Sequence, residues 1–197
     1  IKLGDIYELN FCIDYYAKNI NIDPYQSYNN LNLLTESPMS VFFKYNSLYV
    51  ISSSPERFIK RNNNKITTEP IKGTIRKNRI KHEDLKNISY LKNNSKELSE
   101  NHMIVDLVRN DLSKIACKGS VKVKELASLY SFKNVHQLIS SVEAEIKEST
   151  KFSEILKSSF PMGSMTGAPK IKTMELIDEF EKTQRGIIFI DEIDKIC

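Results

Sequence analysis

The spacing of apolar positions changes several times along the chain, and each change marks an element. From Ile6 the period is two: Tyr7, Leu9, Phe11, Ile13 and Tyr15 alternate with Glu8, Asn10 and Asp14, which predicts a long half-buried strand. Asp23-Pro24 supplies an N-cap and a first-turn proline, with Tyr25, Tyr28 and Leu31 following at helical spacing. Residues 40–45 and 48–53 read as strands joined at Asn46-Ser47, and the second feeds a hairpin over 54–74 that turns at Asn62-Asn63-Asn64. Residues 77–94 are rich in Lys and Asn without a clean period, and are expected to form a mobile connection. Residues 95–115 carry the clearest helical stripe, with Leu98, Val105, Val108 and Leu112 in line and Ile104 and Leu107 beside them. After Gly119, residues 120–127 and 135–146 read as strands, the second with Leu138, Val142, Ala144 and Ile146 on one face. A short helix near 152–158 precedes a stretch of small residues. A last helix begins at Pro169, with Ile171, Met174, Ile177 and Phe180 as its apolar stripe. Strands and helices mix without a βαβ rhythm or an internal repeat, so the fold class is α+β.

Composition narrows the function classes. At 197 residues the chain can build one substantial core, or part of a larger one. Its net charge of +4 is scattered, which favours small anionic ligands slightly; no basic stripe with interleaved aromatics points to nucleic acid. Cys12, Cys117 and Cys197 are far apart without a C-x-x-C pair, which indicates a reducing, cytoplasmic setting and no zinc site. No stretch of these residues reads as a signal peptide, and no apolar run approaches the ~20 residues of a membrane helix. The chain starts at Ile1 without methionine, which reads as a fragment of a longer protein.

Three places carry candidate chemistry. In the 54–74 hairpin, Ser54-Pro55-Glu56-Arg57-Phe58 lies on one arm and Glu69-Pro70-Ile71-Lys72-Gly73-Thr74 on the other. Glycine beside a strand lysine marks close approach of backbone to a ligand, and a lysine in an enclosed cleft can become a nucleophile. An exposed Lys–Glu surface pair fits the same residues. Glu97 and Glu100, at i,i+3 in the first turn of the long helix, are either complements to its dipole or oxygen ligands for Mg²⁺. Before the last helix, Gly163-Ser164-Met165-Thr166-Gly167-Ala168-Pro169-Lys170 is either a simple turn or an anion site made of backbone N–H groups. Ala168 stands where a P-loop needs glycine, so the anion would be a carboxylate rather than a phosphate.

These stretches, with Gly4-Asp5-Ile6-Tyr7-Glu8-Leu9-Asn10, the run Lys96-Glu97 through Glu100-Asn101 to Asn110-Asp111, and Gly119-Ser120-Val121, resemble in order the motifs of the chorismate-utilising enzymes over residues 1–186. The resemblance implies a chorismate-binding fold: two large mixed or antiparallel sheets with flanking helices, here truncated at the C-terminus. Lys72 stands where anthranilate synthases usually carry alanine, and looks like the lysine of aminodeoxychorismate synthase component I. It implies Lys72 as nucleophile at C2 of chorismate, Glu56 as general acid/base, and Glu100 with Glu97 as Mg²⁺ ligands. It further implies Thr74, Gln137, Gly163, Ser164, Thr166, Gly167, Ala168 and Lys170 as substrate contacts, and a glutamine amidotransferase partner as the ammonia source. Anthranilate synthase component I is the alternative, followed by an inactive remnant that only binds a partner.

Two departures stand out. Gln137 replaces the family's usual His, while strand alternation turns the neighbouring His136 to the opposite face. Beyond Gly186 the family's further strands, and a final helix bearing another Mg²⁺ carboxylate, are missing. Residues 187–197 form a separate, non-family tail; its Ile187-Ile188-Phe189-Ile190-Asp191-Glu192 resembles an AAA+ Walker B strand, without a Walker A motif to accompany it.

Overall fold

The computed structural model describes residues 4–10 and 15–184. The 187–197 tail, Cys12, Cys197 and the Phe11, Ile13 and Asp14 portion of the expected first strand lie outside the described residues.

Nine strands and five α-helices are described, in the order β1 (Glu8–Leu9), α1 (Pro24–Thr35), β2 (Met39–Tyr45), β3 (Leu48–Ser54), β4 (Arg57–Asn62), β5 (Lys65–Glu69), β6 (Ile71–Arg76), α2 (Lys81–Asn93), α3 (Ser95–Ser113), β7 (Lys122–Ser131), β8 (Val135–Glu145), α4 (Phe152–Ser159), β9 (Gly167–Ala168) and α5 (Lys170–Gln184). Strands β4 to β8 form an antiparallel sheet. Strands β5 and β6 run end to end along one edge of β8, interrupted at Pro70, and β7 pairs with the other edge. The α+β class holds. The resemblance implied two large sheets; among the described residues one sheet has five strands, while β2–β3 and β1–β9 are two-stranded.

The core lies between this sheet and α3. Ile104, Val105, Val108 and Leu112 from the helix meet Ile66, Val142, Ala144 and Ile146 from the sheet, and Ile155 of α4 closes one end. Each such side chain contributes about 1.5–3 kcal/mol on burial, which is what holds the helix against the sheet. The Asp23 cap is as the sequence indicates, and the structure adds a second one at Asn94. Asp23 Oδ1 accepts from Tyr25 N and Gln26 N (2.9 and 3.0 Å), and Asn94 Oδ1 accepts from Lys96 N and Glu97 N (3.0 and 3.3 Å).

Three expectations need correction. The 77–94 stretch is not a mobile connection, because α2 spans most of it. Leu91 is that helix's one fully buried residue, and polar anchors do much of the rest: Asp84 reaches the buried His136 (3.1 Å) and Asn87 Nδ2 donates to Arg76 O (2.9 Å). Docking of that kind leaves no hydrophobic period to read. The stripe expected on α5 faces outward: Ile171 is 74% and Phe180 56% exposed, whereas Thr173 is buried. In the first strand the apolar face is also outward, with Tyr7 and Tyr15 exposed, and the described strand is only Glu8–Leu9. Among the described residues no helix is long and apolar enough to cross a membrane.

Candidate functional site

The site begins with a fault in a strand. Between Ile71 and Thr74 the pairing of β6 with β8 slips by one residue, so Lys72 and Gly73 together oppose Leu138. Gly73 makes the bulge with φ +93°, and a Cβ there would stand 3.1 Å from Leu138 Cδ1 and 3.3 Å from Glu97 Oε2. The bulge is bolted to α3: Asn101 Nδ2 donates to the carbonyls of Lys72 and Leu138 (3.2 Å each), and Asn101 Oδ1 accepts from Ser140 Oγ. Lysine next to glycine thus marks a close approach, here of the Leu138 and Glu97 side chains to the bulge rather than of a ligand.

Lys72 is not a surface residue. Its ammonium is ion-paired with Glu8 Oε1, both side chains being 12% exposed, and it donates to Asn10 Oδ1 at 3.1 Å. Glu56 lies at the end of the same hairpin, where its Oε1 accepts from Ile71 N (3.0 Å). Burial pushes the Glu56 carboxyl above its usual range, opposed by that backbone bond, the nearby Ser164 hydroxyl and the Lys72 charge. Glu97 is buried in the first turn of α3 and Glu100 is half-buried one turn on. Burial raises the Glu100 pKa too, and the neighbouring Glu8 and Glu97 carboxylates add to that, while Lys96 and Lys72 oppose it. Glu97 and Glu100 therefore do project to one side, beside Lys72.

The small-residue stretch forms the opposite side. Residues 163–165 make one 3₁₀ turn and 167–168 form β9, which pairs with β1 through Tyr7 N to Ala168 O (2.8 Å) and Asn10 N to Thr166 O (2.9 Å). A side chain at Gly167 (φ +141°) would strike the Glu8 carbonyl and approach Thr173 Cγ2 at 2.9 Å, so glycine is what lets β1 come this near. The turn uses the Met165 and Thr166 N–H groups internally (3.1 Å to Met162 O and Gly163 O), and Thr166 Oγ1 also bonds back to Met162 O (3.2 Å). Facing the cluster instead is Ser164, whose buried Oγ lies beside the Glu56 carboxyl. Lys170 is engaged elsewhere: its ammonium pairs with the buried Asp111 and donates to Ser159 O (2.9 Å), tying α5 to α3 and α4.

Thr74 and Gln137 bond to each other (Gln137 Nε2 to Thr74 Oγ1, 3.2 Å) on the face that carries Ile71 and Ile139. Gln137 Oε1 is buried and has no hydrogen-bond partner among the described residues. His136 points the other way, as the alternation requires, with Nδ1 at 2.7 Å from Ser131 Oγ and Nε2 facing Asp84. The structure therefore gathers Lys72, Glu56, Glu97, Glu100 and Ser164, whereas Lys170 is held in a separate ion pair. It adds Glu8 and Asn10, which the sequence shows on the polar face of a strand and inside the 4–10 motif, with no role attached to either.

Among the described residues no three His, Cys, Asp or Glu side chains gather closely enough to hold a metal by themselves. Mg²⁺ commonly takes one or two carboxylates and completes its shell with substrate oxygens and water, and the oxygen donors of Glu97 and Glu100 suit that arrangement.

A family model described as chorismate binding enzyme matches residues 1–188. The chain is 42% identical to aminodeoxychorismate synthase component 1 of Escherichia coli over 183 residues, covering 93% of this chain and 40% of that protein. It is 35% identical to the chloroplastic anthranilate synthase alpha subunit 2 of Arabidopsis thaliana over 186 residues, 94% of this chain and 30% of that one. The crystal structure of anthranilate synthase component I from Streptococcus pneumoniae superposes with a TM-score of 0.78 at 30% identity, covering 95% of this chain and 41% of that one. The chain thus spans less than half the length of each of these relatives.

Proposed function

The chain belongs to the chorismate-binding enzyme family, and from that premise we propose that it is the lysine-bearing part of an aminodeoxychorismate synthase component I. One observation carries this reading: Lys72 is enclosed at a glycine bulge, in the same cluster as a buried carboxyl, Glu56, and the Ser164 turn. The similarity to the Escherichia coli enzyme of that name supports it.

The chemistry follows from the contacts. An ammonium has no lone pair, so Lys72 attacks only after its proton moves, and Glu8 is the base that touches it. The amine then bonds to C2 of chorismate, both ring double bonds shift along the ring toward C4, and the C4–O bond breaks. The hydroxyl leaves as water with the proton of Glu56, which burial keeps protonated to higher pH than an exposed carboxyl. Ammonia adds at C4, gives its proton to the Glu56 carboxylate, and the C2–N bond breaks to release the lysine. Glu97 and Glu100 would hold Mg²⁺, which when bound offsets the charge of the substrate carboxylate. Ser164 and the turn that carries it would orient that carboxylate. A glutamine amidotransferase subunit would supply the ammonia, and the reaction would take place in the cytoplasm.

The test is mass spectrometry after incubation with chorismate and Mg²⁺ without ammonia. A Lys72 peptide carrying chorismate less one water is expected. No adduct, either on this chain or on one extended with the C-terminal portion of its relatives, overturns the lysine mechanism. The likeness to an anthranilate synthase structure supports a second reading, which predicts anthranilate as the product once ammonia is added.

A further inference from the structure

The geometry points to Asn10 as a positioning residue that ties the Lys72 nitrogen to the Ser164 turn, so that the two move as one body. Its carboxamide spans the gap between them. Oδ1 accepts from Lys72 Nζ at 3.1 Å, and Nδ2 donates to Ser164 O at 2.8 Å. The partners fix which way the amide faces, because an ammonium offers only donors and a carbonyl only an acceptor. Asn10 also anchors its own backbone to the same turn, through N–H to Thr166 O at 2.9 Å. The side chain therefore hangs from a strand already registered on β9, Glu8 opposite Ala168 and Leu9 opposite Gly167, and needs no further element to hold it.

The consequence for function rests on the reading above. If the turn receives a carboxylate, displacement of Ser164 is transmitted through one amide to the nitrogen that must reach the ring. Near-attack geometry is sensitive to shifts of about 1 Å, so a rigid link of this kind governs rate more than affinity. Asparagine suits the position on two counts. It is uncharged, so it leaves Glu8 as the sole counter-ion in direct contact with Lys72 among the described residues, and it is both donor and acceptor in one plane.

Two substitutions separate the two ends of the link. Asn10→Ala removes both bonds. Asn10→Asp keeps an acceptor for Lys72, adds negative charge beside it, and sets an oxygen against Ser164 O. Two readouts need no substrate: the rate at which an amine-reactive reagent modifies Lys72, followed by peptide mass spectrometry, and hydrogen exchange of the Met165 and Thr166 amides. Both variants should speed exchange in the turn about two- to tenfold, the factor expected for one lost hydrogen bond. At Lys72 they should diverge, Ala speeding modification and Asp slowing it below the unsubstituted chain. Persistent protection of the Tyr7 amide, which bonds Ala168 O, shows that β1 remains in place. An Asp variant that behaves like Ala at Lys72, or turn amides that exchange alike in all three chains, overturns the link. If the variants diverge as stated but chorismate never alters Lys72 modification, the link stands and the chorismate reading falls.

Discussion

The two ends of α3 put one helical period to opposite uses. Over its later turns, Ile104, Val105, Val108 and Leu112 enter a dry core against β5 and β8. In its first turns the positions facing the protein are Glu97, Glu100 and Asn101, which meet a lysine, the bulge carbonyls and further carboxylates. The apolar end holds the helix where it is, and the polar end uses that fixed position to hold groups that would otherwise be solvated. What separates scaffold from site here is the partners that the rest of the chain brings to each end.

The strongest way to break the comparison is at Lys72. Lys72→Ala should abolish the chorismate adduct and also destabilise the chain by about 3–5 kcal/mol, the usual cost of leaving a buried charge without its partner. A double variant, Lys72→Ala with Glu8→Gln, should recover much of that stability in urea titrations and none of the adduct. Equal stability of the single and double variants would show that the pair is not enclosed in solution. At the apolar end, Leu112→Ala should cost about 2–5 kcal/mol by cavity formation, while Lys72 modification by an amine reagent remains unchanged in the folded fraction.

Glu56→Gln sharpens the contrast, because activity and stability should part. Adduct formation should fall about 10²–10⁴-fold for want of the acid. Burial raises the Glu56 pKa, so the folded state binds this proton more tightly than the unfolded one. The resulting stabilisation is present at low pH and lost as pH rises through the raised value. At pH 7 the Gln variant should therefore melt no lower than the parent, and its stability should vary less between pH 5 and 7. The smallest effect is expected at the edge of the scaffold. The backbone N–H of Asn78, and then His136, hold the Asp84 carboxyl below its ordinary range, so its contribution is present at neutral pH and fades as pH falls through the depressed value. Asp84→Asn should loosen α2, seen as faster amide exchange over that helix, with little change near Glu97.

What could be read from sequence follows the same division. The α3 stripe, the hairpin turns at Asn46-Ser47 and Asn63-Asn64, and the Asp23 cap are local rules applied where nothing overrides them. Helix α2 escaped because polar side chains dock it, and the α5 stripe misled because periodicity reports that a face is apolar, not that something covers it. In the site, Lys72, Glu56 and the glycines were visible through their motifs. Glu8 and Asn10 were visible in a motif and on the wet side of a strand but without a role, since nothing local reveals that such a carboxylate will find an ammonium distant in the chain. Ser164 was named as one of several turn residues, but the placing of its hydroxyl beside Glu56 is a property of the fold.

The ion pair of Glu8 and Lys72 also couples the two positions under substitution. Exchanging the lysine for alanine, the residue usual at this place in anthranilate synthases, would strand a carboxylate in an enclosed site; changing Glu8 first would loosen the lysine before any new chemistry could replace it. Two positions far apart in the chain thus behave as a single unit under substitution. Any path of single changes that removes the pair passes through a chain holding one uncompensated charge in an enclosed site.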